Sequence, residues 1–352
     1  MMENKKYLIV GAGLSGICMS IHLIKSGHSV TLLDSGENYS TAVAAGQINP
    51  LVFRRMTKSW RVDEYLPYAE KFYTDLGIDT GLPIYFPIQI RRMFSSAHEK
   101  VMWEEKQNRE GFSHYLETIT EEDDRYDLAQ NDFGSGRIKQ SSYVNAANFL
   151  TGGKNWIKEN GELILEKLDY TDIDPTDSTY KGRKFDSILF CEGSNNSDNP
   201  WFHQFIVEHT KGEVLTLKST EIDEHEALNR KCFLLPVGEQ TFRLGATYVW
   251  NTPDRTLTDE AKADLLEKVK LLTRKSFEVV DHQAGIRPTT PDRRPIIGKH
   301  HEFKNLLIFN GLGTKGYLMA PLLAKEFSDF LDGKGELDKE VLIERLVKKM
   351  EA

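Results

Sequence analysis

Short apolar runs punctuated by glycine open the chain. Tyr7–Val10 is such a run, closed by Gly11, and predicts a buried strand. Leu14–Ser26 follows with helical character, and Gly27 is placed to cap its C-terminus. Ser29–Leu33 predicts a second strand with Asp34 at its end, which completes a βαβ unit. Ser59–Leu76 predicts a helix with Tyr65, Leu66, Ala69, Phe72 and Tyr73 near one face, ended by Gly77. Residues 82–94 alternate but carry Pro83 and Pro87, which predicts edge strands or a bent strand. Residues 121–126 form an acidic run, expected as a solvated loop or helix start.

Ala146–Glu159 predicts a helix, and Glu162–Asp169 and Asp186–Cys191 predict strands, the second closed by the turn residues Glu192–Asn196. Glu213–Leu217, Cys232–Pro236 and Thr241–Gly245 have the pattern of antiparallel strands, and Asp259–Leu272 that of an amphipathic helix. Leu306–Asn310 predicts another buried strand, then a glycine cluster, then a helix over Leu318–Leu331. Leu337–Met350 predicts a final amphipathic helix, whose Leu337, Val341, Leu342, Leu346 and Val347 would pack on its own domain, the default, or on a partner. The βαβ signals recur at 7–34, 186–194 and 305–331, with antiparallel signals between them. That pattern predicts an α/β (α+β overall) chain in which one domain, built from 1–80, 140–205 and 285–352, is interrupted by a mixed antiparallel β domain at 81–139 and 206–284.

Gly11-Ala12-Gly13-Leu14-Ser15-Gly16 reads G-x-G-x-x-G. It follows a predicted strand, opens a predicted helix, and precedes Asp34 by 18 residues counted from Gly16. Gly11 permits the tight turn, Gly13 lets the backbone approach a pyrophosphate, and Gly16 allows close helix–strand packing. The helix N-terminus attracts phosphate, and Asp34 suits ribose hydroxyls while repelling a 2′-phosphate. The motif predicts a Rossmann-like domain and leaves NAD and FAD open.

Composition narrows the function classes. The chain has 352 residues and a net charge of −8, which disfavours broad nucleic-acid binding. Cys18, Cys191 and Cys232 form no C-x-x-C pair, so they are expected to be reduced in a cytoplasmic protein without a bound metal. Lys5 and Lys6 before the apolar stretch Tyr7–Ile24 superficially resemble a leader, but the spaced glycines and His22 interrupt it, so neither a leader nor a membrane span is expected.

The C-terminal third carries a more specific signal. Residues 284–298 read A-G-I-R-P-T-T-P-D-R-R-P-I-I-G, and residues 307–325 read L-I-F-N-G-L-G-T-K-G-Y-L-M-A-P-L-L-A-K. Together with the N-terminal motif they resemble the D-amino acid oxidase / glycine oxidase family of FAD-dependent oxidoreductases. Thr41–Gly46, Ser142–Asn145, Phe190–Gly193, Lys211–Leu215 and Arg243–Thr247 resemble further collinear family segments. The resemblance implies an FAD cradle of Gly11, Gly13, Leu14, Ser15, Gly16, Asp34, Ser35, Thr41, Ala45, Gly46, Gln47, Gly193, Gly311, Gly313, Thr314, Lys315 and Gly316. No cysteine lies beyond Cys232 at the position sarcosine oxidases use for covalent flavin, which implies non-covalent FAD. Physically, Gly311, Gly313 and Gly316 bring backbone N–H groups near a ligand at a helix N-terminus, where they stabilise negative charge.

The resemblance also implies a reaction: oxidation of the C–N bond of a small amino acid or N-substituted glycine by hydride transfer to flavin, with oxygen or a quinone as electron acceptor. Catalytic candidates are Arg287, Lys315 and Tyr248. Arg287, in the R-P motif with Pro288, is expected to fork onto the substrate carboxylate; the alternative is an ion pair with Asp292. Lys315 is either a carboxylate anchor or oxygen-side charge, or a solvated lysine. Arg54 and Arg55 would add charge near the ring, and Tyr248 and Trp250 would line the pocket or an edge strand. No strong base is needed, which fits the scatter of His22, His28, His203, His282, His300 and His301.

A narrower resemblance also exists. Gly46–Leu51 and Leu312–Gly316 with Ala320–Leu322 are similar to the FAD domain of the bifunctional enzyme that matures 5-methylaminomethyl-2-thiouridine in tRNA. That domain oxidises an N-substituted glycine carried by tRNA, and these 352 residues carry no counterpart of its methyltransferase domain. The net charge of −8 disfavours unaided tRNA binding. A non-catalytic flavin-binding sensor or scaffold is the third class.

Overall fold

The computed structural model describes residues 3–37, 40–205, 208–252 and 254–346, without the side chain of Arg54. A six-stranded sheet runs in the order Glu162–Leu165, Ser29–Asp34, Lys6–Val10, Ser187–Phe190, Leu306–Asn310, Ile296–Lys299. Its first five strands are parallel and the last is antiparallel. Successive residues of Tyr7–Val10 are all buried but face different cores. Tyr7 and Ile9 pack among the helices Leu14–Lys25, Val62–Thr80, Ala146–Asn160 and Gly316–Leu331, whereas Leu8 and Val10 pack against Ile173, Tyr180, Phe185 and Phe202. A parallel strand covered on both faces needs a continuous apolar run.

The second sheet is larger. Its order is Val249–Trp250, Glu208–Lys218, Thr241–Gly245, Cys232–Gly238, Glu226–Arg230, Gln89–Met93, Ser135–Ile138, with the long strand Glu278–Thr289 also paired to Glu208–Lys218. All its pairs are antiparallel except Glu226–Arg230 with Gln89–Met93. The helix Asp259–Val269 covers one face, burying Leu265 and Val269 with Leu215, Leu217, Leu234, Phe242 and Leu244. No helix among the described residues is long and apolar enough to cross a membrane.

Several elements depart from the pattern-based expectations. The helix expected over Ser59–Leu76 runs Val62–Thr80 and ends on Gly81 at φ 67°; Gly77 lies inside it, where the chain passes so close that a Cβ would meet Leu82 O at 3.0 Å. Residues 82–94 are not all edge: Tyr85–Pro87 is a short strand, but Gln89–Met93 lies inside the larger sheet. The acidic run forms a short helix, Glu121–Arg125, yet Asp123 is buried, capping the helix through Thr120 and bonded to Arg91 at 2.7 Å. The final helix expected over Leu337–Met350 does not form across its first half. Val341 O accepts from Ile297 N, and Ile343 N donates to Ile297 O, so this segment extends the sheet edge. Helical backbone begins only at Glu344, and the remainder of that expectation, from Val347 on, lies outside the described residues.

Candidate active site

A cavity of about 1220 Å³ opens between the C-terminal ends of the parallel strands and the second sheet. Val10, Asp34, Cys191 and Asn310 bring the strand ends to it, and Val214, Phe233, Ala246 and Arg287 bring the other sheet's face. Its volume exceeds the roughly 300–1,000 Å³ of a drug-sized pocket, leaving room for a dinucleotide and a small substrate. All the cradle residues expected from sequence line it except Gly16, and so do Arg287, Lys315 and Tyr248. Gly16 acts from behind: a Cβ there would sit 1.9 Å from Gly11 O, so the helix abuts the turn only because the residue is glycine.

The nucleotide turn is held tightly. Gly11 sits at φ 98° and its N–H donates to Leu33 O at 2.8 Å. Leu14 N donates to Thr41 Oγ1 at 3.1 Å, and Ala12 N donates to Asp34 Oδ1 at 3.0 Å. Gly13, with no side chain of its own to accept, caps the helix, whose first residues Leu14 and Ser15 line the cavity. Gly316 starts the helix Gly316–Leu331, and a Cβ on it would lie 2.9 Å from the Leu14 side chain. Two helix N-termini therefore converge on one cavity, and their dipoles add to favour negative charge.

Asp34 has a partner that sequence reading missed. Its Oδ2 accepts from Lys154 Nζ at 2.6 Å, so the carboxylate is neutralised from a helix lying 120 residues further on. A carboxylate oxygen has two lone pairs, and Asp34 can still accept from a ribose hydroxyl. Nothing in the pattern of Ala146–Asn160 marks Lys154 for this. Gln47 supplies a second feature: its Nε2 is buried without an acceptor among the described residues.

Arg287 is half-buried over the ring of Tyr248, 5.2 Å from its centre, and its Nη1 donates to Thr247 O at 3.4 Å. It has no acidic partner among the described residues. The ion pair with Asp292 does not form, because Asp292 accepts from Arg345 at 2.9 and 3.2 Å. Burial pulls the Arg287 guanidinium below its ordinary range, with Tyr248 opposing. Its flat face rests on Gly212, a contact with no local sequence signal. Tyr248 lines the cavity, is 44% exposed and meets Trp250 edge-on, whereas Trp250 belongs to the edge strand Val249–Trp250 and is not among the lining residues.

Lys315 is half-buried rather than solvated, and its Nζ donates to Asn49 O, Asn49 Oδ1 and Leu51 O at 2.9, 2.8 and 3.1 Å. Burial lowers its ammonium to about 7. Arg55 is exposed and lines the cavity, while the side chain of Arg54 lies outside the described residues.

Comparison with known proteins identifies the arrangement. The family described as FAD dependent oxidoreductase (DAO) matches residues 6–330. An oxidoreductase of Bacillus subtilis, the uncharacterized YurR, is 24% identical, covering 95% of this chain and 97% of its own. The tRNA 5-methylaminomethyl-2-thiouridine biosynthesis bifunctional protein MnmC of Legionella pneumophila (strain Corby) is 25% identical over 84% of this chain, which spans only 46% of that relative. Among solved structures, glycine oxidase from Geobacillus kaustophilus superposes with a TM-score of 0.82 at 18% identity, covering 95% of this chain and 96% of its own.

Proposed function

We propose that this chain, which belongs to the DAO family of FAD-dependent oxidoreductases, oxidises the C–N bond of a small amino acid or an N-substituted glycine. FAD fits the cavity on two observations. Gly193 and Gly313 line it at φ 57° and 55° with nothing within 4 Å of where a Cβ would stand, so bare backbone leaves space for a bound group, and Gln47 Nε2 is a buried donor without an acceptor among the described residues. Gly11, Gly13 and Ser15 would hold the pyrophosphate, Asp34 and Ser35 the ribose, and Gly46, Gln47, Gly311 and Gly313 the ring, without a covalent link. Residues 1–80, 140–205 and 285–352 would form the cofactor part, and 81–139 and 206–284 the substrate part.

The chemistry that FAD supplies there is acceptance of a hydride from the carbon bearing the nitrogen. The protein's share is orientation. Arg287, with no acidic partner among the described residues, would hold the substrate carboxylate in its fork and so fix where the α C–H points. Val214 and Phe233 line the same region with apolar surface and exclude water. No residue is required as a base, provided the amine is neutral.

The observation that carries this reading is Arg287, half-buried in the cavity and without an acidic partner among the described residues. Anaerobic mixing of the yellow protein with glycine, sarcosine, and D- and L-amino acids, followed by flavin bleaching, tests it. Arg287→Ala should raise KM strongly and leave flavin content intact. Unchanged KM with a substrate that bleaches the wild type overturns the assignment.

A second reading is oxidation of carboxymethylaminomethyluridine in tRNA. The similarity to MnmC supports it, as do Arg55 and Arg293, both exposed on the cavity lining. Bleaching by that tRNA, with none by free amino acids, selects it.

A further inference from the structure

We propose that Lys315 is a positioning residue that pins the 49–58 hairpin over the cavity, and not a second carboxylate anchor. The proposal rests on the reading above, in which this cavity holds FAD and substrate. An ammonium has three donors. All three Lys315 donors are taken, by two oxygens of Asn49 and one of Leu51. A substrate carboxylate would have to displace one of them.

The segment so held is a small hairpin. Leu51–Val52 pairs with Thr57–Lys58, Phe53–Arg55 forms its tip, and Met56 closes the turn at φ 45°. Leu51, Val52, Phe53, Arg55, Thr57 and Lys58 all line the cavity. A two-stranded ribbon is marginal by itself, so its position depends on what it is tied to. At its tip, Lys106 Nζ donates to Met56 O at 2.5 Å, and Phe53 lies under the Arg92 guanidinium at 5.2 Å. These contacts lead toward the second sheet. Lys315 ties the opposite end to the turn that starts the helix Gly316–Leu331. Asn49 reinforces the tie, since its Oδ1 also accepts from Leu51 N at 3.1 Å. The hairpin thus bridges the two sheets, with Lys315 as its anchor on the cofactor side.

The test uses Lys315→Met, which keeps the stem and removes the donors, Lys315→Arg, and Asn49→Ala from the acceptor side. The hairpin carries trypsin sites at Arg54, Arg55 and Lys58. In the FAD-loaded protein, Lys315→Met should be cut there about tenfold faster than wild type, the ratio that about 1.4 kcal/mol in a local opening equilibrium gives. Asn49→Ala should move the same way, and Lys315→Arg should restore resistance. KM should rise similarly for an amino acid and for its carboxamide, with kcat within about twofold. Unchanged cleavage, with a KM increase confined to the carboxylate substrate, would overturn the proposal and make Lys315 an anchor. If Lys315→Met does not fold, Asn49→Ala decides by the same cleavage ratio. Failure of the underlying reading looks different: Arg287→Ala would then leave KM unchanged while the cleavage result stands.

Discussion

Gly212 offers a sharp test of how the substrate end is built. It lies in the strand Glu208–Lys218, opposite Gly285. A Cβ at this position would fall 2.2, 2.3 and 2.4 Å from Nη2, Nη1 and Cζ of Arg287. Ordinary contact needs about 3.5 Å, so Gly212→Ala forces a movement of more than roughly 1 Å. The backbone is tied down by its pairing with Gly285 and by Glu213 N, which donates to Thr247 Oγ1 at 2.8 Å. The guanidinium must therefore yield, leaving Tyr248 and losing its fork alignment. A hydrogen bond to a charged group contributes about 1.5–3 kcal/mol. Losing one of the two parallel bonds should lower kcat/KM by about 2 kcal/mol, or roughly 30-fold. Stability should fall by about 1 kcal/mol at most, because the lost stacking on Tyr248 is partly offset by the narrower unfolded ensemble of alanine. The assay is steady-state kinetics on protein of measured flavin content, with a thermal melt alongside. Wild-type kcat/KM in a flavin-replete Gly212→Ala protein would refute the stacking of Arg287 on this strand or its role on the carboxylate.

Other consequences are separable from that one. His22 is pushed down to about 4, chiefly by burial and then by Lys325, and packs on Tyr68 and Phe72. Its folded-state value lies below the unfolded one near 6.5, so the unfolded chain binds more protons between them, and stability is lost as pH drops through that window, by up to about 3 kcal/mol. His22→Leu should flatten the loss of urea midpoint between pH 7 and pH 5; an unchanged pH dependence counts against it. Asp34→Asn removes the pair with Lys154 and should weaken FAD binding about tenfold by fluorescence titration, given the usual strength of bonds to charged groups. Gly136→Ala would drive a Cβ to 2.5 Å from the Trp103 ring, and should cost about 1–3 kcal/mol of stability while leaving KM alone.

The parts legible in the sequence are those where the backbone leaves one residue type. Gly11 is readable as a turn because its φ of 98° and the approach of Cys191 O admit no Cβ. The strands buried on both faces are readable because each needs an unbroken apolar run. The segment 337–350 shows the limit of periodicity. Leu337, Val341 and Leu342 suit a helical stripe, but Val341 and Ile343 equally suit an edge, and the backbone N–H and O of Ile297 needed partners there. A buried peptide group left unpaired costs more than a helical turn gains, so the sheet wins.

Side-chain pairings across the fold leave no such mark. Lys315 reaches oxygens of Asn49 and Leu51, 266 and 264 residues earlier in the chain, two of which are backbone carbonyls that any residue would supply. Lys154 on Asp34 is one lysine among many on helical surfaces. Gly212 differs, since its missing Cβ is required, but the requirement comes from Arg287 on the neighbouring strand. A glycine demanded by its own φ can be recognised locally, whereas a glycine demanded by a guanidinium arriving from elsewhere becomes recognisable only when the strand register is known. Gly212 is of the second kind, whereas Gly11 and Gly46, at φ 98° and 72°, are of the first, and that difference separates what a single turn discloses from what needs two strands in register.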